Sequence, residues 1–262
     1  MRESGWMPDS CVVGEPSGMR PIVAHKGKLV ARGMVRGRAG HSSQPARGVN
    51  AVHAAARAIA WAADQADRHA SCGPFEDGFD PPYTTIHVGT ASGGTILNII
   101  PDRAEFTMEW RNIPADDART MLEAMRRHVS GVIEPAMRSV DPGTGVDLVE
   151  ACWYPGLSLD PGHRLVESVQ RATGADAAGK VSYATEAGLY QEAGIATLVC
   201  GPGHIAQAHR PDELGFPPRG GGFCKEPEHP RRAVWRRSGP GGGSRWSSRR
   251  KRSDACLRAA KG

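Results

Sequence analysis

The fold is decided by a ten-residue stretch, KLVARGMVRG, at positions 28–37. Leu29, Ala31, Gly33 and Val35 occupy alternate positions, which predicts a β-strand with one buried face. Helical and strand-like patterns follow it in a regular succession. We therefore expect this strand to open a larger unit of sheet and helices.

The later patterns complete a β-α-β-β-α-β order. Gly48-Val49-Asn50 opens a helix in which apolar residues recur every three or four positions. Residues 84–90, 105–111 and 145–153 are predicted strands, and a long helix begins at Asp116-Asp117. This is the order of a ferredoxin-like unit, a four-stranded sheet with two helices on one face.

The region after residue 156 predicts a fragment of an α/β layer. A short helix, a strand at 180–184, a second short helix at 186–192 and a strand at 195–200 follow one another. Two strands are too few to bury a sheet on both faces, so this fragment needs further strands from elsewhere. The fold class is therefore mixed, α/β together with α+β.

The last predicted strand leads into the segment GPGHIAQAHRPDE at positions 201–213. A Gly-Pro-Gly turn after a buried strand places the next residues at a strand's carboxyl end, where open α/β sheets build their sites. His209, Asp212 and Glu213 follow there, and such groups suit a zinc site or a general base. On this segment alone, a polar surface turn is an equally good interpretation.

The composition is that of a globular protein, with 39% hydrophobic and 23% charged residues in a chain of 262. No apolar run approaches the ~20 residues of a membrane helix. The first residues lack the apolar core of a signal peptide, and the six cysteines form no close pair of the zinc-finger type. We expect a cytoplasmic protein without a membrane partner.

The net charge of +5 conceals a basic C-terminal segment, which carries 13 Lys or Arg and three Asp or Glu from Arg219 onward. Glycine, proline, arginine and serine dominate residues 215–262, so this segment buries too little apolar surface to order itself. We expect a disordered tail. Its cluster Arg249–Arg252 leaves open an alternative function as a binder of nucleic acid or another polyanion.

Eight strings in one order resemble the acetylornithine deacetylases, a branch of the di-zinc aminoacylase and carboxypeptidase superfamily. The resemblance covers about Cys11 to Glu213. The strings are Gly14-Glu15-Pro16-Ser17, His25-Lys26-Gly27, Gly40-His41-Ser42-Ser43-Gln44-Pro45 with Gly48–Ala51, Phe79–Thr85, Gly93-Gly94-Thr95 with Asn98–Pro101, Trp110-Arg111, Thr185–Gly188 and the segment that holds His209.

The resemblance implies a catalytic α/β domain that holds two zinc ions and is interrupted by a ferredoxin-like lid, which also forms a homodimer. On this pattern residues 1–21 are a remnant of the catalytic domain and 22–155 are the lid. Residues 156–214 are the C-terminal part of the catalytic domain, and 215–262 are the basic tail.

The resemblance also implies metal ligands. Glu15 would bind one zinc ion and His209 the other, and cobalt could replace zinc; carboxylate oxygen and neutral imidazole suit either ion. The alternatives are an exposed loop carboxylate and a surface histidine.

Substrate-facing residues are implied in the same way. His41 would reach into the neighbouring site of the dimer and donate to the oxygen that becomes an oxyanion, a recognised source of rate. Asn98 would contact the polar groups of the substrate, and Arg111 would pair with its α-carboxylate. Thr185 and Gly203 would lie near the substrate.

Each substrate-facing residue has a plainer interpretation. His41 could simply be held by Ser42 and Ser43 beside a helix start. Asn98 could be a turn residue before Pro101. The plainer alternative for Arg111 is a salt bridge to a glutamate of its own strand, Glu105 or Glu109.

The activity implied is hydrolysis of a small N-acyl amino acid, N-acetyl-L-ornithine, to ornithine and acetate in arginine biosynthesis. In relatives a His-x-Asp string, a bridging Asp and a Glu-Glu pair precede the position of Glu15, and nothing from Met1 to Ser10 matches them. We therefore expect a catalytically incomplete copy. The alternative is a non-catalytic dimerisation module of the same family.

Overall fold

The computed structural model describes residues 7–203, which form two main sheets with helices packed on them. These residues belong to one compact unit of the chain. The predicted ligand His209 and the predicted tail at 215–262 lie outside the described residues.

The described strands and helices include those expected from the sequence and several short strands besides. The strands are β1 (Ser10–Val13), β2 (Ile22–His25), β3 (Lys28–Arg36), β4 (Gly40–His41), β5 (Thr85–Gly93), β6 (Ile99–Ile100), β7 (Arg103–Arg111), β8 (Gly145–Tyr154), β9 (Leu157–Ser158), β10 (Gly179–Val181) and β11 (Ala196–Val199). The α-helices are α1 (Ala51–Cys72), α2 (Ala118–His128), α3 (Glu134–Arg138), α4 (Arg164–Thr173) and α5 (Ala187–Glu192).

The lid sheet confirms the ferredoxin-like prediction. Its order is β5-β7-β3-β8, and every neighbouring pair is antiparallel. Alternate residues of β7 form the buried face against α1 and α2: Ala104, Phe106, Met108 and Trp110. Gly33 of β3 lies opposite Phe106, and a Cβ atom there would come within 2.2 Å of the ring. Glycine is therefore required for the ring to fill the core at this point.

The helix before β8 is longer and less regular than the sequence predicts. After α2 the chain widens into one π-helical turn, Val129–Ile133, and continues as α3. Pro135 explains the widening, because its ring would collide with the carbonyl four residues earlier in a regular helix. Val129 and Ile133 remain buried in the lid core across the turn.

The other sheet has the order β1-β11-β2-β10, and β9 pairs with β2. It is the α/β layer that the C-terminal fragment was expected to need, with β1 and β2 supplied from the start of the chain. β1 and β11 run parallel, with Val13 opposite Val199. Both strands therefore end at the same edge of the sheet.

Strand β2 was missed in the sequence because it is only four residues long and buried throughout. It pairs with β9, β10 and β11, whereas the lid sheet begins at Lys28. We propose that the first junction between the two parts lies at Lys26–Gly27.

The loop at residues 73–84 connects α1 to β5 and contacts residues of the other sheet and its loops. The buried Lys26 ammonium donates to the carbonyl oxygens of Pro81 at 2.7 Å and Tyr83 at 2.6 Å. Burial lowers the pKa of Lys26, and the nearby carboxylate of Asp80 opposes that shift. The loop is also held by a hydrogen bond from the Ser182 hydroxyl to the Asp80 carbonyl oxygen, 2.6 Å long.

No helix among residues 7–203 is both long enough and apolar enough to cross a membrane.

Candidate active site

Glu15 lies at the carboxyl edge that β1 and β11 share. The Gly14-Glu15 turn follows β1, and Gly201 comes shortly after β11. Gly201 lies so close to the Glu15 backbone that a Cβ atom on Gly201 would be 2.7 Å from the Glu15 carbonyl oxygen. Such an approach is open only to glycine. The turn that begins the predicted metal-binding segment is thereby packed against the backbone of Glu15.

Hydrogen bonds hold the two turns together. The Ser17 backbone N–H donates to the Gly201 carbonyl oxygen at 3.1 Å, and the Gly18 N–H donates to the Gly203 carbonyl oxygen at 2.7 Å. Gly203 has a φ of +83°, a left-handed conformation that favours glycine. The structure thus brings the backbones of Glu15 and Gly203 into one cluster.

Tyr183, in the bend that follows β10, supports the same cluster. Its hydroxyl donates to the Pro16 carbonyl oxygen at 3.0 Å. Burial raises the pKa of Tyr183, and the negative charge of Glu15 adds to the shift. The phenol therefore stays protonated beside the carboxylate. A single tyrosine carries no sequence signal, so its position could not have been predicted.

His41 and Asn98 form a separate pair on the lid. Strands β4 and β6 place His41 opposite Ile99, and the Ser42 N–H donates to the Asn98 carbonyl oxygen at 3.0 Å. Both residues are exposed. The loop beside them is apolar and also exposed, with Leu97 98% accessible. Two predicted lid residues thus meet at one exposed tip.

Arg111 is engaged by a residue of its own strand. Its Nε and Nη2 atoms donate to the two carboxylate oxygens of Glu109, at 3.1 and 3.2 Å. Lys28 approaches the same carboxylate at 3.6 Å. The structure therefore shows the plainer alternative, an intrastrand salt bridge. Arg111 is only partly buried, so a substrate carboxylate could reach it by displacing Glu109.

Thr185 takes part in a buried hydrogen-bond chain. The His25 Nδ1–H donates to the Lys26 carbonyl oxygen at 2.9 Å, so the neutral ring accepts at Nε2 from the Thr185 hydroxyl at 3.0 Å. The Ala187 N–H donates to that hydroxyl at 3.0 Å. Thr185 is only 6% exposed. The geometry supports a structural role for this hydroxyl rather than the predicted substrate contact.

The sequence comparisons show which known proteins this chain is similar to. Residues 23–136 match the family model described as a peptidase dimerisation domain. The chain is 37% identical over 210 residues to an acetylornithine deacetylase from Shigella sonnei, an alignment that covers 79% of this chain and 52% of the relative. Residues 23–136 are therefore similar to a peptidase dimerisation domain, and most of the chain is similar to part of an acetylornithine deacetylase. The chain spans about half the length of the curated relative that it matches.

Solved structures of two peptidases share the fold of the described residues. An aminopeptidase PepT from Bacillus cereus matches with a TM-score of 0.57 and 20% identity, over 76% of this chain and 50% of that one. A tripeptidase from Staphylococcus aureus matches with a TM-score of 0.56 and 19% identity, over 77% and 50%. At this identity the likeness establishes the fold alone.

The described side chains were expected to include part of a metal site. Among residues 7–203 no group of three or more His, Cys, Asp or Glu side chains could hold a metal ion. Glu15 is the one predicted ligand in that range. The described residues therefore do not form a complete metal site by themselves.

Proposed function

We propose that this chain provides the lid and part of the catalytic sheet of a zinc-dependent amide hydrolase of the acetylornithine deacetylase type. The substrate would be N-acetyl-L-ornithine, and the products would be ornithine and acetate, in arginine biosynthesis in the cytoplasm. The close approach of Gly201 to the backbone of Glu15 carries the proposal. It brings Glu15 and the start of the segment that holds His209, residues 201–203, to one sheet edge, where α/β enzymes build sites.

Glu15 and His209 are the metal ligands of this proposal, one for each of two zinc ions, and cobalt could replace zinc. The remaining ligands and the general base would come from residues that match the His-x-Asp and Glu-Glu strings of relatives. Because the described residues do not complete the site, we derive no chemical step through the metal.

The lid supplies polar groups that suit an amide substrate. His41 offers a ring N–H to the carbonyl oxygen, where negative charge develops during hydrolysis. Asn98 lies beside it and can contact the polar groups of the substrate. Arg111 pairs with the α-carboxylate once that carboxylate displaces Glu109, and two parallel hydrogen bonds make the exchange specific.

A homodimer through the lid is part of the proposal. Strand β5 lies at the edge of the lid sheet and is largely exposed after Val88. The exposed tip that carries His41 could then reach the site of a second copy. The matched dimerisation domain supports this assembly.

A non-catalytic dimerisation module is the second candidate. It is favoured by the complete ferredoxin-like lid, which holds the largest hydrophobic core of the described residues. It predicts a dimer that binds no zinc at Glu15 or His209. A polyanion-binding role for the basic tail concerns residues outside the described range and stays a prediction.

Metal binding and complementation together separate these candidates. We expect the 262-residue chain to bind Co²⁺ weakly, and Glu15→Gln and His209→Ala each to weaken that binding at least tenfold, with Asp9→Asn as the matched control.

By itself the chain should show no measurable hydrolysis of N-acetylornithine. Hydrolysis should appear when the unmatched part of the Shigella sonnei relative is supplied as a second polypeptide. Cobalt binding that is unaffected by both variants, with no activity in the mixture, would establish the module instead.

A further inference from the structure

The ring of His41 is held by the residue two positions later in the chain. The Ser43 backbone N–H donates to His41 Nδ1 at 3.2 Å, and the Ser43 Oγ lies 2.7 Å from the same nitrogen. The Gln44 N–H donates to the His41 carbonyl oxygen at 2.9 Å and closes the turn. Two polar groups of Ser43 therefore face one ring nitrogen.

The chemistry of these partners fixes the tautomer of the ring. A backbone N–H can only donate, so Nδ1 must be the acceptor and carries no proton in the neutral ring. The Ser43 hydroxyl then donates to Nδ1 as well. We propose that Ser43 is a positioning residue that holds His41 as the Nε2–H tautomer and directs this N–H away from the turn.

This inference rests on the proposed function for its catalytic consequence. A carbonyl oxygen that gains negative charge needs a hydrogen-bond donor, and Nε2–H is the donor that Ser43 leaves available. The other tautomer would present a lone pair at Nε2 and would repel the oxygen. Ser43 thus acts on the reaction only through the proton position of His41.

The neighbouring serine provides a matched control. Ser42 contributes its backbone N–H to the Asn98 carbonyl oxygen, whereas its hydroxyl makes none of the described contacts with His41. Ser42 and Ser43 are both exposed. Ser42→Ala and Ser43→Ala therefore remove the same atom from adjacent positions with different expected results.

The test is the ring ¹⁵N spectrum of His41 at alkaline pH, in the full chain labelled at histidine and assigned with His41→Gln. The wild type and Ser42→Ala should show a protonated Nε2 and an unprotonated Nδ1. Ser43→Ala should raise the ratio of Nδ1–H to Nε2–H tautomer about fivefold, as expected for one lost hydrogen bond, and Ser43→Thr should restore it. A wild-type ring protonated at Nδ1, or a Ser43→Ala spectrum identical to the wild type, would overturn the proposal.

The spectrum needs no turnover, so it separates this inference from the proposed function. In the complemented enzyme, Ser43→Ala should lower kcat and leave KM unchanged, because only the developing oxyanion uses the N–H. If the tautomer ratio shifts as expected and the mixture still never hydrolyses N-acetylornithine, the proposed function fails and the placement of Ser43 stands. If hydrolysis occurs and Ser43→Ala leaves kcat unchanged, the role of Ser43 in the reaction is refuted.

Discussion

At the residue scale, His25 couples protonation to folding. Its side chain has no exposed surface, and its two ring nitrogens are engaged by the Lys26 carbonyl and the Thr185 hydroxyl. Burial lowers its pKa from 6.5 to about 4, although the hydrogen bond to Lys26 opposes the shift. The unfolded chain therefore takes up a proton at a higher pH than the folded chain.

We expect the free energy of unfolding to depend on pH through this residue. The contribution is complete above pH 6.5 and decreases as the pH falls toward 4, by about 3 kcal/mol in all. Urea unfolding at several pH values measures it. His25→Gln should remove this part of the pH dependence, whereas the exposed His53, changed to Gln, should leave it intact. Parallel curves for wild type and His25→Gln would contradict this account.

Some side-chain contacts can be predicted from the sequence and others cannot. The alternation of Glu105 to Arg111 places Arg111 and Glu109 on one face of a strand, so their ion pair could be foreseen. The bond between Thr185 and His25 could not, because the two residues are 160 positions apart and meet only when β2 and α5 come together. The alternation of residues within a strand predicts contacts between nearby side chains, whereas contacts between distant segments depend on the tertiary fold.

At the element scale, Lys26 fastens the loop at residues 73–84. The ammonium group is buried and reaches the carbonyl oxygens of Pro81 and Tyr83, and the Phe79 ring lies 6.0 Å from it. Lys180 approaches the same ring at 5.2 Å and pairs with Glu76 at 2.9 Å. The loop is thus anchored by two cations from neighbouring strands of one sheet, Lys26 just after β2 and Lys180 in β10.

Lys26→Met should loosen this anchor, because methionine keeps the apolar stem and leaves two carbonyl oxygens without a donor. We expect a loss of about 3 kcal/mol in the free energy of unfolding, and faster proteolysis within residues 73–84. Urea unfolding and mapped limited proteolysis measure both. The control is Lys28→Met, a partly exposed lysine 3.6 Å from Glu109, which should cost under ~1 kcal/mol. Equal effects of the two changes would refute the anchor.

Elements with a clear period were predicted well, and short or irregular ones were not. The four lid strands and α1 follow from apolar alternation and from helical spacing. β10 is shorter than the predicted strand at 180–184, since Ser182 leaves the ladder to bond Asp80. The π-helical turn before Pro135 depends on a steric effect that periodicity does not register.

At the scale of the whole molecule, the sequence predicted the two-part fold better than the site. Of the strings that carry the resemblance, the structure gathers parts of two, Gly14–Ser17 and Gly201–Gly203, at one sheet edge. The lid pair of His41 and Asn98 is gathered separately. How such groups meet across a long separation in sequence is set by strand pairing, which a single sequence does not specify.

The account depends most on Glu15 and His209 facing one pair of ions. A crystal structure of the chain, soaked with zinc and complemented as above, measures the distance between the Glu15 carboxylate and the His209 ring directly. Ligands of two ions about 4 Å apart, each bonded at about 2 Å, should lie within about 8 Å of one another. We predict that the Glu15 carboxylate and the His209 ring lie within that distance and line the same cavity. Side chains on separate surfaces, well beyond that distance, would contradict it.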